Sequence, residues 1–344
     1  MFKIDFSTLK GVVLVALFAI VATLIASLDV IKSLGFSPLV IGIVLGIIYA
    51  NTIESKMPKE LSKGITFSAK KILRFAIVLY GFRLTFQEVV EVGSDGFLVS
   101  LTMLTTTLFL GTYVGIKLFK MDRDTSILTA SGASVCGAAA VLATESVLKA
   151  KEYKSAVAVS MVVLFGTISM FLYPILYESF IKNSAGFFHM SPREFGIYVG
   201  GSVHEVAQVV AIPASIPNAP EVMAHSAVIV KMTRVILIAP MLIILGLILS
   251  FSSSSKGRVK VVIPWFAIYF IVVAAFNSLG ILDPKVVQII NQIDTFLLTM
   301  AMSALGMGTI FSKFKDVGVS AFYTALVMFI WLVVGGFIIT KIIV

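Results

Sequence analysis

Residues Arg123 to Lys151 read RDTSILTASGASVCGAAAVLATESVLKAK, and residues Pro192 to Ser215 read PREFGIYVGGSVHEVAQVVAIPAS. Both are apolar enough for a membrane, yet each is broken near its middle, at Gly132-Ala133-Ser134 in the first and at Gly200-Gly201-Ser202 in the second. Each flanking arm is about ten residues, roughly half the helix length a bilayer core requires. Glycine permits a chain reversal that a continuous helix forbids. The two segments therefore predict interrupted helices that cross the membrane or helical hairpins that enter it and turn back.

The rest of the chain supports a membrane setting. Of 344 residues, 58% are hydrophobic and only 13% charged, too little polarity to cover a soluble fold. Runs long enough for a span occur at 11–28, 36–51, 69–87, 96–119, 153–178, 223–250, 260–279, 287–311 and 319–343. The first follows Lys3 and Lys10 and has small residues near Ala26, as a signal peptide does, but the many later spans favour a retained helix. The expected fold is an all-α polytopic membrane protein of about nine transmembrane helices, plus two interrupted or re-entrant segments. Residues 1–122 and 255–344 would be scaffold helices, and 123–254 a transport core in which helices 153–178 and 223–250 accompany the two interrupted segments.

A net charge of +9 suggests nucleic acid at first sight, but the basic residues cluster between apolar runs, where topology explains them and excludes that partner. With a cytoplasmic N-terminus, Lys56, Lys59, Lys63, Lys70 and Lys71 lie inside, as do Lys117, Lys120 and Arg123. Glu88, Glu91 and Asp95 lie outside, Lys256, Arg258, Lys260, Lys313 and Lys315 inside, and the C-terminus outside. If segment 124–149 crossed, Lys149, Lys151 and Lys154 would fall outside, against the positive-inside bias. A hairpin keeps them inside and is the favoured reading.

The two segments also look related. Ser134-Val135-Cys136-Gly137 aligns with Ser202-Val203-His204-Glu205, and Ser155 to Met161 parallels Ser226 to Met232. A second pair joins Pro38, Asn51, Pro58, Gly81, Phe86 and Val92-Gly93 to Pro264, Asn277, Pro284, Gly306, Phe311 and Val317-Gly318. Hairpins place an odd number of crossings between the partners, so the repeats are expected to be inverted, the architecture of alternating access.

Several residues at the breaks carry chemistry. The second arm of each hairpin would begin inside the membrane with unpaired N–H groups and a positive dipole end, an environment that attracts anions. Ser134 and Ser202 stand where hydroxyls would either cap those N–H groups or bind substrate oxygens, and Gly132, Gly201 and Cys136 join them as candidate substrate-binding residues. Lys231 and Arg234, one turn apart in a span, are candidates for the same site, because buried cations must be paired or line water; neutralising Glu205 is the alternative. His204 and Glu205 are candidates for proton coupling, with only one of the two neighbours required to face a cavity. Asp294 and Arg74 lie near predicted span ends and read as structural residues reaching the interface. No metal motif or nucleophile elbow accompanies the single cysteine, so no metal site, cofactor or catalytic residue is expected, and an intramembrane hydrolase is the weaker alternative.

Gly132 to Val141, GASVCGAAAV, and Gly200 to Ala211, GGSVHEVAQVVA, resemble the paired signatures of the UPF0324 family, also called the YeiH-type or sulfate exporter family. The resemblance spans nearly the whole chain. It implies kinship with cation–proton antiporters and bile-acid symporters, whose folds use discontinuous helices in inverted repeats. Here the interrupted segments flank one helix, whereas in those folds about five spans separate them. The expected function is secondary transport, in the export direction, of a small oxyanion such as sulfate or sulfite with proton coupling; a cation–proton antiporter using Glu205 or Asp294 is the runner-up. The expected setting is a bacterial inner membrane, with a small anionic solute and lipid as partners and a homodimer left open.

Overall fold

The computed structural model describes residues 5–28, 31, 37–53, 58, 60–252, 265–310 and 318–344. Lys3, Lys56, Lys59, Lys256, Arg258, Lys260, Lys313, Lys315, Pro264, Phe311 and Val317, named above, lie outside the described residues. Among those described, the chain is helical: α1 (Phe6–Ala26), α2 (Pro38–Thr52), α3 (Leu61–Phe67), α4 (Leu73–Tyr80), α5 (Phe86–Tyr113), α6 (Arg123–Ser134), α7 (Ala138–Leu148) and α8 (Glu152–Leu176). It continues with α9 (Pro192–Ser202), α10 (Val206–Ala214), α11 (Glu221–Ile236), α12 (Ile238–Ser252), α13 (Trp265–Ser278), α14 (Pro284–Met307), α15 (Val319–Ile330) and α16 (Gly336–Ile343).

Six helical stretches are long and apolar enough to cross a membrane: Phe6–Ala26, Phe86–Leu118, Tyr153–Ile181, Glu221–Ile248, Pro284–Met307 and Val319–Ile343. The runs expected at 36–51 and 260–279 hold shorter apolar helices, Pro38–Thr52 and Ile268–Ser278. The run at 69–87 holds α4 and the start of α5, and a widened turn at Ser68–Ile72 joins α4 to α3.

Contacts gather the chain into two compact units. The first contains Met1–Val89, Pro213–Ala219 and Phe266–Phe311; the second contains Val90–Ile212, Pro220–Trp265 and Ser312–Val344. Apart from Pro213–Ala219, the stretch 123–254 lies in the second unit, which also takes in α15, α16 and most of α5.

In the first unit the repeat leaves matched hydrogen bonds. Asn51 Nδ2 donates to the Thr309 carbonyl at 2.9 Å, and Asn277 Nδ2 donates to the Leu84 carbonyl at 3.0 Å. Gly306 lies against the Ile43 carbonyl and Gly81 against that of Phe270, contacts that match to within one residue of the repeat. Such reciprocity is what a two-fold relation between the halves produces. The unit's core places Val15 and Ala19 of α1 against Tyr49 of α2 and Met300, Ala304 and Met307 of α14. Asp294 departs from expectation: it does not reach an interface but is fully buried, with Oδ2 2.9 Å from Arg83 Nε. Arg83 also holds the Asn291 carbonyl and the Thr295 hydroxyl, so the guanidinium carries the carboxylate into the core. Arg74 lies over the Phe266 ring at 5.7 Å, a cation–π contact.

The second unit contains both interrupted segments. Lys154, in the first turn of α8, pairs with Asp122 at 2.6 Å and Asp124 at 2.8 Å, where α6 begins. Were α6 and α7 to continue in one direction, they would span about 35 Å. The link from Leu148 to Lys154 reaches only about 20 Å. The segment therefore turns back, and Leu128, Val141 and Ala158 meet in one cluster at its middle. The second segment behaves alike. Gly196 packs on Met223 and Ala227, and Gly200 on Ala227 and Lys231, so α9 and α11 run parallel. The six residues after Ala214 cannot return the chain across the roughly 30 Å that a continuous helix would cover.

The hairpins point in opposite directions. Phe195 packs on Tyr177 and Tyr198 on Tyr173, with ring centroids 4.5 and 5.0 Å apart, so α9 runs antiparallel to α8, whereas α6 runs parallel to it. Each mouth is pinned by ion pairs: Lys154 with its two aspartates for α6–α7, Lys341–Glu194 and Arg193–Asp95 for α9–α10.

One consequence is measurable at the first mouth. Burial raises the Asp122 carboxyl, but the Lys154 ammonium and the Thr125 N–H outweigh it, and the group titrates below its usual range. A carboxyl depressed by folding stabilises above its unfolded pKa, and that contribution is lost as pH falls through the lowered value. Lys154→Met should remove about 1 kcal/mol, since Asp122 is half exposed, and flatten the acid limb of the stability curve. Thermal melts of detergent-solubilised protein at several pH values check both effects.

Candidate functional site

The chain reversals lie three residues beyond the glycines expected to make them. Gly132, Gly200 and Gly201 are helical, and the first arms run on to Ser134 and Ser202. The links are Val135-Cys136-Gly137 and Val203-His204-Glu205. Only Gly137, at φ 75, needs glycine for its backbone; Val203 turns in an extended conformation that any residue adopts, φ −75 and ψ 148. The helical glycines serve packing instead. A Cβ on Gly132 would lie 2.7 Å from Val141 and Val162, and one on Gly200 would lie 2.4 Å from the Ala227 carbonyl.

Ser134 and Ser202 are likewise not caps of the second arms. Ser134 Oγ donates to the Ser131 carbonyl at 3.2 Å, and Ser202 Oγ to that of Tyr198. Ser202 Oγ also accepts the Tyr173 hydroxyl at 2.9 Å. As the last helical residues of their arms, both find acceptors one turn back, while the N–H groups they were expected to cap belong to residues beyond the link.

Where two half-helices end, their last carbonyls lack partners and carry the negative end of the helix dipole. Lys231 and Arg234, both fully buried on α11, meet that need. Lys231 Nζ donates to the carbonyls of Val135 at 2.6 Å, Val203 at 2.7 Å and His204 at 2.8 Å. Arg234 donates from Nε to Ser134 at 2.7 Å, from Nη2 to Ala133 at 2.7 Å and from Nη1 to Gly201 at 2.6 Å. The two cations thus tie one hairpin tip to the other. An ammonium has three donors and all three are occupied, so Lys231 acts on anything nearby through its charge.

The N-terminal ends are occupied differently. The Glu205 carboxylate, from the second tip, accepts the Ala138 N–H at the start of α7 in the first hairpin. Its side chain lies over Gly137, where a Cβ would come within 2.6 Å of Glu205 Cγ. The Cys136 thiol accepts the Ala140 N–H of the same helix. Gln208 Oε1 accepts the Glu205 N–H at 3.0 Å, while Gln208 Nε2 has no partner; nor has Nδ1 of His204, which is 2% exposed.

All nine expected site residues, Gly132, Ser134, Cys136, Gly201, Ser202, His204, Glu205, Lys231 and Arg234, therefore lie on the two hairpins or the helix clamping them, in one buried region. Gln208, Tyr173 and Gly166, on which the Gln208 amide lies, were not among them. Neither was the Gly196-x-x-x-Gly200 pair that brings α9 onto α11, although its four-residue spacing is a readable signal for close helix contact. Two cavities of about 440 and 340 Å³ in this unit are lined mostly by apolar side chains, the smaller also by Arg123, and by none of the nine.

Two oppositely directed re-entrant hairpins, held tip to tip within a helical unit, define a polytopic α-helical membrane protein of the discontinuous-helix class. The family model described as "Conserved hypothetical protein 698" matches residues 10–325. The chain is 46% identical over 335 residues to a UPF0324 membrane protein of Pseudomonas putida, covering 96% of this chain and 92% of that protein. It is 46% identical over 338 residues to a UPF0324 membrane protein of Bacteroides thetaiotaomicron, at 97% and 98% coverage, and 44% identical over 330 residues to the inner membrane protein YeiH of Escherichia coli, at 95% and 92%. The chain belongs to the UPF0324 family of membrane proteins.

Proposed function

We propose that this protein is a secondary transporter that exports a small inorganic or sulfur-containing oxyanion such as sulfate or sulfite, coupled to protons and without covalent chemistry. The observation that carries this reading is the charge balance at the tips. Two cations, Lys231 and Arg234, are sealed there with one carboxylate, Glu205, beside the positive ends of α7 and α10. A buried excess of positive charge is stabilised by an anion arriving from either side. Inverted hairpins and a second compact unit supply the parts that alternating access uses.

The antiporter reading would rest on Glu205, which already accepts the Ala138 N–H beside two buried cations, or on Asp294, whose Oδ1 has no partner. Its other oxygen is already held by Arg83, and a guanidinium at 2.9 Å repels an entering cation. The hydrolase reading would require Cys136 to act as a nucleophile, but its thiol is buried on the Ala140 N–H.

Reconstituted vesicles test the proposal directly. Radiolabelled sulfate or sulfite should move faster than through empty vesicles, and collapsing the pH gradient should slow it. Flux equal to that of empty vesicles, with sodium driving proton movement instead, would replace this reading with the antiporter. Covalent labelling of Cys136 or of a serine by a substrate analogue would favour the enzyme.

A further inference from the structure

The seat at the N-terminus of α7 is not vacant: the chain fills it with its own carboxylate. Glu205 reaches across from the other hairpin to the Ala138 N–H and lies over Gly137, where any side chain would collide with it. Buried nitrogens without partners belong to the same tip. Gln208, fully buried, uses its amide oxygen on the Glu205 backbone, which leaves its –NH₂ free near the same residue, and His204 Nδ1 is also unpartnered. An unpartnered, fully buried amide –NH₂ on the residue that holds the Glu205 backbone indicates a pocket built for more acceptor oxygens than one carboxylate supplies.

We propose that Glu205 is a built-in competitor of the transported anion: ionised, its carboxylate holds the N-terminus of α7, and on protonation it releases that position to an oxyanion. The proposal rests on the oxyanion reading above and deepens it. The exchange balances. One proton passes from water to the Glu205 carboxylate, the bond from the Ala138 N–H to Glu205 breaks, and the same N–H then donates to an oxygen of the anion. Lys231 and Arg234 on α11, Cys136 on the first link and the neighbouring His204 face this exchange, while α8 contributes Val162 and Gly166, which do not titrate. The cations remain on their carbonyls throughout, so they act on either occupant through charge and not through a hydrogen bond. Proton and anion consequently bind together, each tightening the binding of the other.

Sulfate and thiosulfate serve as probes, because both stay doubly charged between about pH 5.5 and about pH 8, and any pH dependence then belongs to the protein. Wild-type protein in detergent should bind the probe about tenfold more tightly for each unit of acidification while the carboxyl is ionised, taking up about one proton per anion in weak buffer. Glu205→Gln, an uncharged stand-in for the protonated acid, should bind without pH dependence, at least about tenfold more tightly than wild type near pH 8, and take up no proton. A Glu205→Gln protein that keeps the wild-type pH slope overturns the proposal and leaves the oxyanion reading standing. If that variant does not fold, proton uptake by wild type decides alone, and binding without uptake overturns the proposal. Absence of binding by wild type and variant alike, at any pH, overturns the oxyanion reading and this proposal with it.

Discussion

Replacing Arg234 by alanine should destabilise the protein by about 4 kcal/mol or more and abolish anion flux. The cost lies in what remains after the change. The guanidinium is fully buried and donates to the carbonyls of Ala133, Ser134 and Gly201. Alanine leaves these without partners in a region no side chain can refill, at about 1–3 kcal/mol for each buried unsatisfied group. Two of the carbonyls belong to one hairpin and one to the other, so the loss also unties the tips. Arg234→Lys separates charge from geometry: the cation persists, but a lysine cannot present a planar fork to carbonyls on separate segments, and only part of the stability should return. The measurements are thermal unfolding in detergent and labelled sulfate flux in vesicles. An Arg234→Ala protein that melts at the wild-type temperature would show that the carbonyls find other partners and that the clamp is not what joins the tips.

That clamp marks the boundary of what the residue order conveys. The apolar runs follow directly from composition, because a lipid core favours about 20 apolar residues of helix per span. The hairpins also follow, since Lys149, Lys151 and Lys154 are placed on one side only if 124–149 turns back, and the Lys154 ion pairs show that it does. The duplicated asparagines and glycines give the inverted repeat, seen again in the paired bonds of Asn51 and Asn277. What the order does not convey is which polar groups already have partners. Lys231 and Arg234 read as free cations because their acceptors are backbone carbonyls about 30 to 100 residues away, and carbonyls look alike in every residue. Ser134 and Ser202 read as caps because a hydroxyl beside a break suits either direction. The breaks themselves were placed at glycines that turn out to serve helix packing. A glycine in a helix interface and one in a reversal are chemically identical, and of the glycines in the two interrupted segments only Gly137 has the backbone angle that distinguishes them.

Gly200→Val should have the second largest effect, a loss of about 3 kcal/mol together with weaker anion binding, and its cause lies in the same clamp reached from the packing side. On Gly200 a Cβ would sit 2.4 Å from the Ala227 carbonyl, 2.8 Å from Val230 Cβ and 3.1 Å from the Lys231 N, so it strikes the backbone of α11 and not a flexible side chain. Helix backbone cannot yield locally, and α9 must move away from α11, at the usual overpacking cost of about 1–3 kcal/mol or more. Lys231 is attached to that backbone, and its bonds at 2.6, 2.7 and 2.8 Å to the tips leave no slack for the movement. Packing loss and site distortion therefore arrive together. Two other glycines separate this account from helix propensity, which would favour alanine everywhere. Gly201→Ala meets only the end of the Val99 side chain, at 2.7 Å, and should cost about 1 kcal/mol. Gly93→Ala on α5 meets nothing within 4 Å and should be neutral or stabilising by about 0.5 kcal/mol. Melting temperatures ranked Gly93→Ala, Gly201→Ala, Gly200→Val from highest to lowest, with sulfate affinity falling sharply only in the last, are the expected result. Equal melting temperatures for the three would mean that α9 and α11 are not in the close contact on which the position of Lys231 depends.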